Sequence, residues 1–257
     1  MRGLLIASAG LAVAAAATAR PVYSNGPLST GATLSTGAAA PAGSTWSEVQ
    51  LGNTIAGFGS QGGTVGNRMA DDFTITDAAG WMISNIRFFG YQTGGSTASS
   101  SFTGLNFQIW NGRPGDVGST VVFGDLTTNR LTGSSWSNMY RTFNGSNNTT
   151  RPIYNLDNGG LNVTLGPGTY WLDWTVTGSL ASGPWAPAVT VVGQQTVPGA
   201  NGRQFIGSTG VWGDALDGPA PASIVQQLPF EITYVVPTPG AAALLGMAGF
   251  AGLRRRR

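Results

Sequence analysis

Cysteine, histidine and lysine are all absent from this chain of 257 residues, and every one of its 13 basic residues is arginine. Without histidine there is no Ser-His-Asp triad, no Cys-His pair and no imidazole base. Without cysteine or histidine the common zinc and copper sites cannot be assembled. Lack of lysine removes the Schiff base, the Ser-Lys dyad and the phosphate-binding P-loop. No disulfide can form either, so stability has to come from packing and sheet hydrogen bonds. Charged residues make up only 9%, too few to solvate the outer faces of amphipathic helices.

Glycine (40 residues), serine, threonine, asparagine and about 10% aromatics dominate instead, with almost no window of helical periodicity. Leu161, Val163 and Leu165 alternate with polar residues, Gly166-Pro167-Gly168 breaks the run, and Tyr170, Leu172, Trp174 and Val176 alternate again. That pattern predicts a hairpin. Further strands are expected at 70–76, 81–91, 105–109, 121–123, 139–143 and 230–236. Short strands separated by Gly, Ser and Asn clusters predict an all-β fold, an antiparallel β-sandwich with jelly-roll or immunoglobulin-like connections. No repeat of fixed period supports a propeller or solenoid. Residues 20–45 mix Gly, Ser, Thr, Pro and Ala without alternation and read as a spacer or loosely docked leader. The sandwich domain is accordingly placed at 46–236, long enough to bury a core.

The two ends read as addresses. Arg2 precedes an apolar core at 4–17, and Ala17-Thr18-Ala19 supplies the small-x-small pattern of a signal peptide, cleaved after Ala19 or Ala17. At the other end Pro237-Thr238-Pro239 is followed by an apolar run at 240–253 and then Arg254, Arg255, Arg256 and Arg257. An apolar helix followed by a basic cluster leaves the preceding body outside the cytoplasm. At about 1.5 Å per residue that run reaches about 21 Å, short of a roughly 30 Å hydrocarbon core, which favours transient anchoring over a permanent span. Setting aside Arg2 and the terminal cluster leaves eight arginines against 11 carboxylates, so the body is acidic. The remaining arginines are scattered along the chain, which argues against nucleic acid as a partner.

The tail resembles the PEP-CTERM sorting signal of Gram-negative bacteria, with Thr238 standing where that signal has glutamate. The resemblance implies an exported substrate of signal peptidase and of an exosortase-type membrane transpeptidase. It also implies a destination at the cell surface, in the envelope or in the extracellular matrix of a biofilm. Between 67 and 234 the body resembles a family of secreted bacterial domains with no assigned activity. That likeness is carried by Ala70-Asp71-Asp72-Phe73, Phe107-Gln108-Ile109-Trp110-Asn111-Gly112, Gly168-Thr169-Tyr170-Trp171-Leu172-Asp173-Trp174 and Gly183-Pro184-Trp185-Ala186-Pro187.

Carboxylates are the only acid/base groups left. Asp173 shares its strand parity with Trp171 and Thr175, opposite the apolar face, so a carboxylate beside an exposed indole is expected there. Trp171, Asp173, Trp185 and Trp212 are therefore the candidate ligand-binding residues, for an exopolysaccharide. A structural or adhesive role without catalysis is the leading expectation. A carbohydrate-binding module and a glycosidase using two carboxylates are the alternatives. No cofactor is expected beyond a structural calcium, for which Asp71, Asp72 and Asp157 offer oxygens. Asp71 and Asp72 are adjacent and should point to opposite faces, one of them capping a turn or binding an arginine such as Arg68.

Overall fold

The computed structural model describes residues 20–143 and 145–237, and every regular element among them is a strand. The chain forms β1 (Val22–Ser24), β2 (Thr45–Val49), β3 (Phe58–Gly59), β4 (Arg68–Ile75), β5 (Trp81–Gly90), β6 (Phe102–Trp110), β7 (Val121–Asp125) and β8 (Gly133–Phe143). It continues through β9 (Pro152–Leu165), β10 (Gly168–Gly178), β11 (Trp185–Ala186), β12 (Arg203–Ile206), β13 (Val211–Asp214), β14 (Leu216–Asp217), β15 (Ile224–Val225) and β16 (Phe230–Val235). Among the described residues no helix is long and apolar enough to cross a membrane.

Two six-stranded sheets dominate, ordered β1-β16-β5-β9-β8-β2 and β13-β12-β4-β10-β6-β7. Their alternating apolar residues meet in one cluster. Ile86 and Phe88 of β5 and Phe230 and Ile232 of β16 come from the first sheet, and Leu105, Phe107, Leu172, Trp174 and Val176 of β6 and β10 from the second. Phe88 and Trp174 bring the sheets together, with ring centroids 4.9 Å apart.

Three expectations need correction. The runs on either side of Gly166-Pro167 are both strands, but they are not a hairpin: β9 pairs with β5 and β8, whereas β10 pairs with β4 and β6 in the other sheet. Alternation specifies which face of a strand is apolar, not which strand lies beside it. The break therefore carries the chain from one sheet to the other. Second, the pairing is not wholly antiparallel, because β2 runs parallel to β8.

Third, the stretch expected as a spacer is built into the domain. β1 adds an edge strand to β16, with Val22 opposite Thr233 and Ser24 opposite Glu231. Tyr23 projects from it into an aromatic group, 5.7 Å from Trp81, 6.0 Å from Phe230 and 6.3 Å from Phe73. Further along, Leu28 packs with Phe89 and Ile153, and Leu34 with Trp46 and Tyr140. A few large side chains spaced among small residues thus dock a segment that has no periodicity of its own. Burial also pushes the Tyr23 phenol up to about 12. Tyr23→Ala is expected to cost about 2–4 kcal/mol in urea unfolding, because it removes a half-enclosed ring from three aromatic contacts. A loss below about 0.5 kcal/mol, the level of an ordinary surface change, would mean that the segment is only loosely docked.

Candidate functional site

The outer face of the second sheet gathers three of the four candidate ligand-binding residues. Trp171 lies opposite Trp110 and Asp72, Asp173 opposite Gln108 and Ala70, and Phe205 opposite Arg68 and Trp212. Opposite residues on neighbouring strands share a face, so this register assembles a plate of aromatic rings and guanidinium groups. Arg68 sits 4.2 Å over the Phe205 ring and 5.0 Å from that of Trp212. Its Nη1 approaches Asp173 Oδ2 at 3.2 Å, and the Trp110 indole donates to the same oxygen at 3.2 Å. Arg203 also lies over the Trp212 ring, at 5.9 Å, and donates to the Pro114 carbonyl.

The parity assigned to Asp173 is the observed one, but its surroundings are not those expected. Asp173 is 0% exposed and Trp171 only 6%. β10 is an interior strand, and the long side chains of its neighbours close over it. No open indole stands beside the carboxylate. Burial pushes the Asp173 carboxyl up to about 7, against the opposing pull of Arg68 and of the Trp110 hydrogen bond. A cleft of about 320 Å³ borders the plate, lined by Gly62, Gly66, Arg68, Leu126, Thr175 and Phe205, with neither Asp173 nor any other carboxylate in its wall. The two-carboxylate chemistry of a glycosidase finds no arrangement there.

The calcium candidates are kept apart. Asp71 is buried and accepts hydrogen bonds from the backbone of Leu228 at 2.6 Å and the Gln227 side chain at 3.2 Å. Burial raises its carboxyl well above the usual range. Asp72 faces the other way, as its parity requires, and accepts from Asn201 at 3.0 Å. Neither meets Arg68, whose ionic partner is Asp173. Asp157, in the first sheet, is taken by Arg87 at 2.9 Å. Among the described residues no three such ligands converge on a metal position.

No family model, curated protein or solved structure matches the chain. The site therefore has to be read from its own geometry. Of the eight tryptophans none is exposed: Trp46, Trp81, Trp171 and Trp174 are buried and Trp110, Trp136, Trp185 and Trp212 half-buried. A flat platform of open indoles is thus absent, and one of the half-buried indoles, that of Trp185, lines a cleft.

That cleft lies at Trp185, has a volume of about 360 Å³ and is lined by Ala56, Tyr91, Phe143, Arg151, Ser182 and Trp185 among others. Two reciprocal backbone hydrogen bonds, of 3.0 and 2.9 Å, clamp Trp185 to Tyr91. The indole donates to Ser182 Oγ at 3.3 Å. Gly183 has a φ of 96°, and a Cβ there would come within 2.7 Å of the indole, so glycine is what lets the ring pack this close to the loop. Tyr91, Phe143, Arg141 and Arg151 are functional candidates that sequence reasoning missed. One signal was visible: Arg141 shares strand parity with Met139 and Phe143, an unusual position for a guanidinium.

Pro237 lies two residues beyond the end of β16. Thr238 and Pro239, the cluster Arg254, Arg255, Arg256 and Arg257, and the cleavage residues Ala17 and Ala19 lie outside the described residues.

Proposed function

We propose that this chain is an exported, non-catalytic β-sandwich with a structural or adhesive role at the cell surface or in the extracellular matrix. Signal peptidase removes its leader, the apolar tail anchors it transiently in the inner membrane, and an exosortase-type transpeptidase processes the Pro237-Thr238-Pro239 region. The observation that carries the non-catalytic part is the sealing of Asp173. In a chain without histidine, cysteine or lysine, the best-placed carboxylate is shut beneath Arg68 and Trp110. The two sheets around one core support the sandwich. Successive strands β4, β5 and β6 alternate between sheets, as do β9 and β10, which favours jelly-roll over immunoglobulin-like connectivity.

A second reading, carbohydrate binding, is favoured by the aromatic cleft at Trp185. On both readings the protein acts by binding, without turnover. Protease added to intact cells is expected to remove it, and washed matrix is expected to retain it. A chain that resists protease in intact cells and is degraded only after lysis would contradict this role.

A further inference from the structure

Arg141 and Arg151 are opposed across neighbouring strands. The Arg141 amide donates to the Arg151 carbonyl at 2.8 Å, continuing the β8–β9 register beyond Tyr140 and Pro152. The two guanidinium groups therefore start from one face of the sheet, and Phe143, two residues on, shares it. Like charges so placed repel. Burial adds a second cost, since Arg141 is 2% exposed.

The usual compensation is a carboxylate, and among the described residues no ion pair involves either arginine. The hydrogen-bond partners of Arg141 are neutral: the Ala56 carbonyl at 2.7 Å, Ser47 Oγ at 2.9 Å and Thr190 Oγ1 at 2.6 Å. The charge of Asp217 reaches Arg141 and favours its protonated form, but the two make no ion pair, and the Asp217 carboxylate accepts its hydrogen bonds from Thr54, Ile55 and Gly218. Burial lowers the Arg141 guanidinium to about 10, which leaves it charged at neutral pH.

Both positive charges bear on the cleft at Trp185. Arg151 lines it, with its guanidinium 5.4 Å over the Phe143 ring, and Arg141 holds the Ala56 carbonyl in its wall. Tyr91 senses both: burial raises its phenol to about 12 while Arg141 and Arg151 pull it down. A positively charged cleft of about 360 Å³ with an indole, a phenol and a phenyl ring in its walls has the size of a small-ligand site. A guanidinium fork matches the plane of a carboxylate, and an indole presents a flat apolar surface to the apolar face of a sugar ring.

We propose that this cleft binds the carboxylate-bearing pyranose unit of an acidic, uronate-containing polysaccharide. The inference rests on the surface or matrix role above and gives it a site and a ligand class. Trp185 stacks on the sugar ring, Arg151 receives the carboxylate, and Arg141 supplies the buried charge behind it.

The test titrates the full chain with a hexuronate oligomer, its methyl ester and a neutral hexose oligomer of equal length, read by calorimetry and tryptophan fluorescence. The uronate is expected to bind, with the ester and the neutral oligomer about ten- to hundredfold weaker, the worth of one charge-assisted pair. Arg151→Gln is expected to lose a similar factor and Trp185→Ala to abolish binding, each with unchanged circular dichroism. Arg87→Gln, in an ion pair with Asp157 and Glu231 elsewhere, should bind like the parent. Equal binding of acid and ester, an Arg151→Gln variant as tight as the parent, or a folded parent that binds no uronate would overturn the proposal. Tighter, Arg151-dependent binding of a sulfated glycan would overturn the carboxylate assignment. Loss of uronate binding with surface exposure and matrix retention intact would leave the broader role standing, whereas a cytosolic, unprocessed chain would remove that role itself.

Discussion

Trp174→Ala is expected to remove about 3–5 kcal/mol from the unfolding free energy, the range for truncating a fully enclosed large aromatic. Trp174 is 1% exposed and lies 4.9 Å from Phe88 and 6.4 Å from Phe230, both on the opposite sheet. Truncation would leave a void between the two sheets, and the ladder hydrogen bonds that tie β5, β16 and β10 to their neighbours within each sheet limit how far the backbones can shift to fill it. Its indole nitrogen is buried with no partner among the described residues. Trp174→Phe therefore gives up no hydrogen bond and should cost less, about 1–2 kcal/mol. Trp136→Ala, at a half-buried position, supplies the comparison. Urea unfolding of the three variants measures the ranking, and equal losses at 136 and 174 would contradict a shared core between the sheets.

Thermal stability is expected to fall as pH rises from about 4 to 7, and Asp173→Asn is expected to flatten that slope. The ordinary carboxyl value is 3.8, and burial pushes the folded one to about 7. In that window the folded state keeps a proton that the unfolded chain releases. Stability is then fully present on the acid side and declines as pH climbs through the folded value, by on the order of 3 kcal/mol for a carboxyl this deeply enclosed. Asp71 works in the same direction, since burial raises it as well. Asp125 is opposite in sign: hydrogen bonds from Thr128 and Thr127 lower its carboxyl, and the stability they contribute is lost as pH falls below the ordinary carboxyl value. Arg68→Leu should carry the decline on beyond pH 7, because it removes the charge that favours the ionised form of a buried carboxyl, and leaving that carboxylate unpaired once it ionises costs about 3–5 kcal/mol. Melting curves from pH 4 to 8 for parent, Asp173→Asn and Arg68→Leu test this. A parent that gains stability from pH 4 to 7, or an Asp173→Asn variant with the parental slope, would show that the carboxylate is ionised throughout.

The strands themselves were legible wherever one face packs against the core. β10 announces itself because Tyr170, Leu172, Trp174 and Val176 all point inward, and β6 and β16 do so in the same way. Their partners were not legible, since pairing depends on register across the whole molecule, and a break such as Gly166-Pro167 between two alternating runs looks the same whether it turns a hairpin or crosses between sheets. β1 gave no periodic signal, as three residues cannot show one; its anchor is the single ring of Tyr23. At the candidate site, the parity of Asp173 predicted its face and its company. Parity does not report how high neighbouring side chains reach, and Arg68 and Trp110 from β4 and β6 close what looked like an open surface. The cleft at Trp185 draws Ala56, Tyr91, Phe143 and Arg151 from four separate segments, so only the folded chain brings them together.

Mapping both termini of the protein recovered from the producing cells by mass spectrometry tests the central claim most directly. The account predicts a mature chain outside the cytoplasm, beginning at Thr18 or Arg20 and ending upstream of the basic cluster at 254–257. Recovery of an intact chain from Met1 to Arg257 in the cytosol would contradict it.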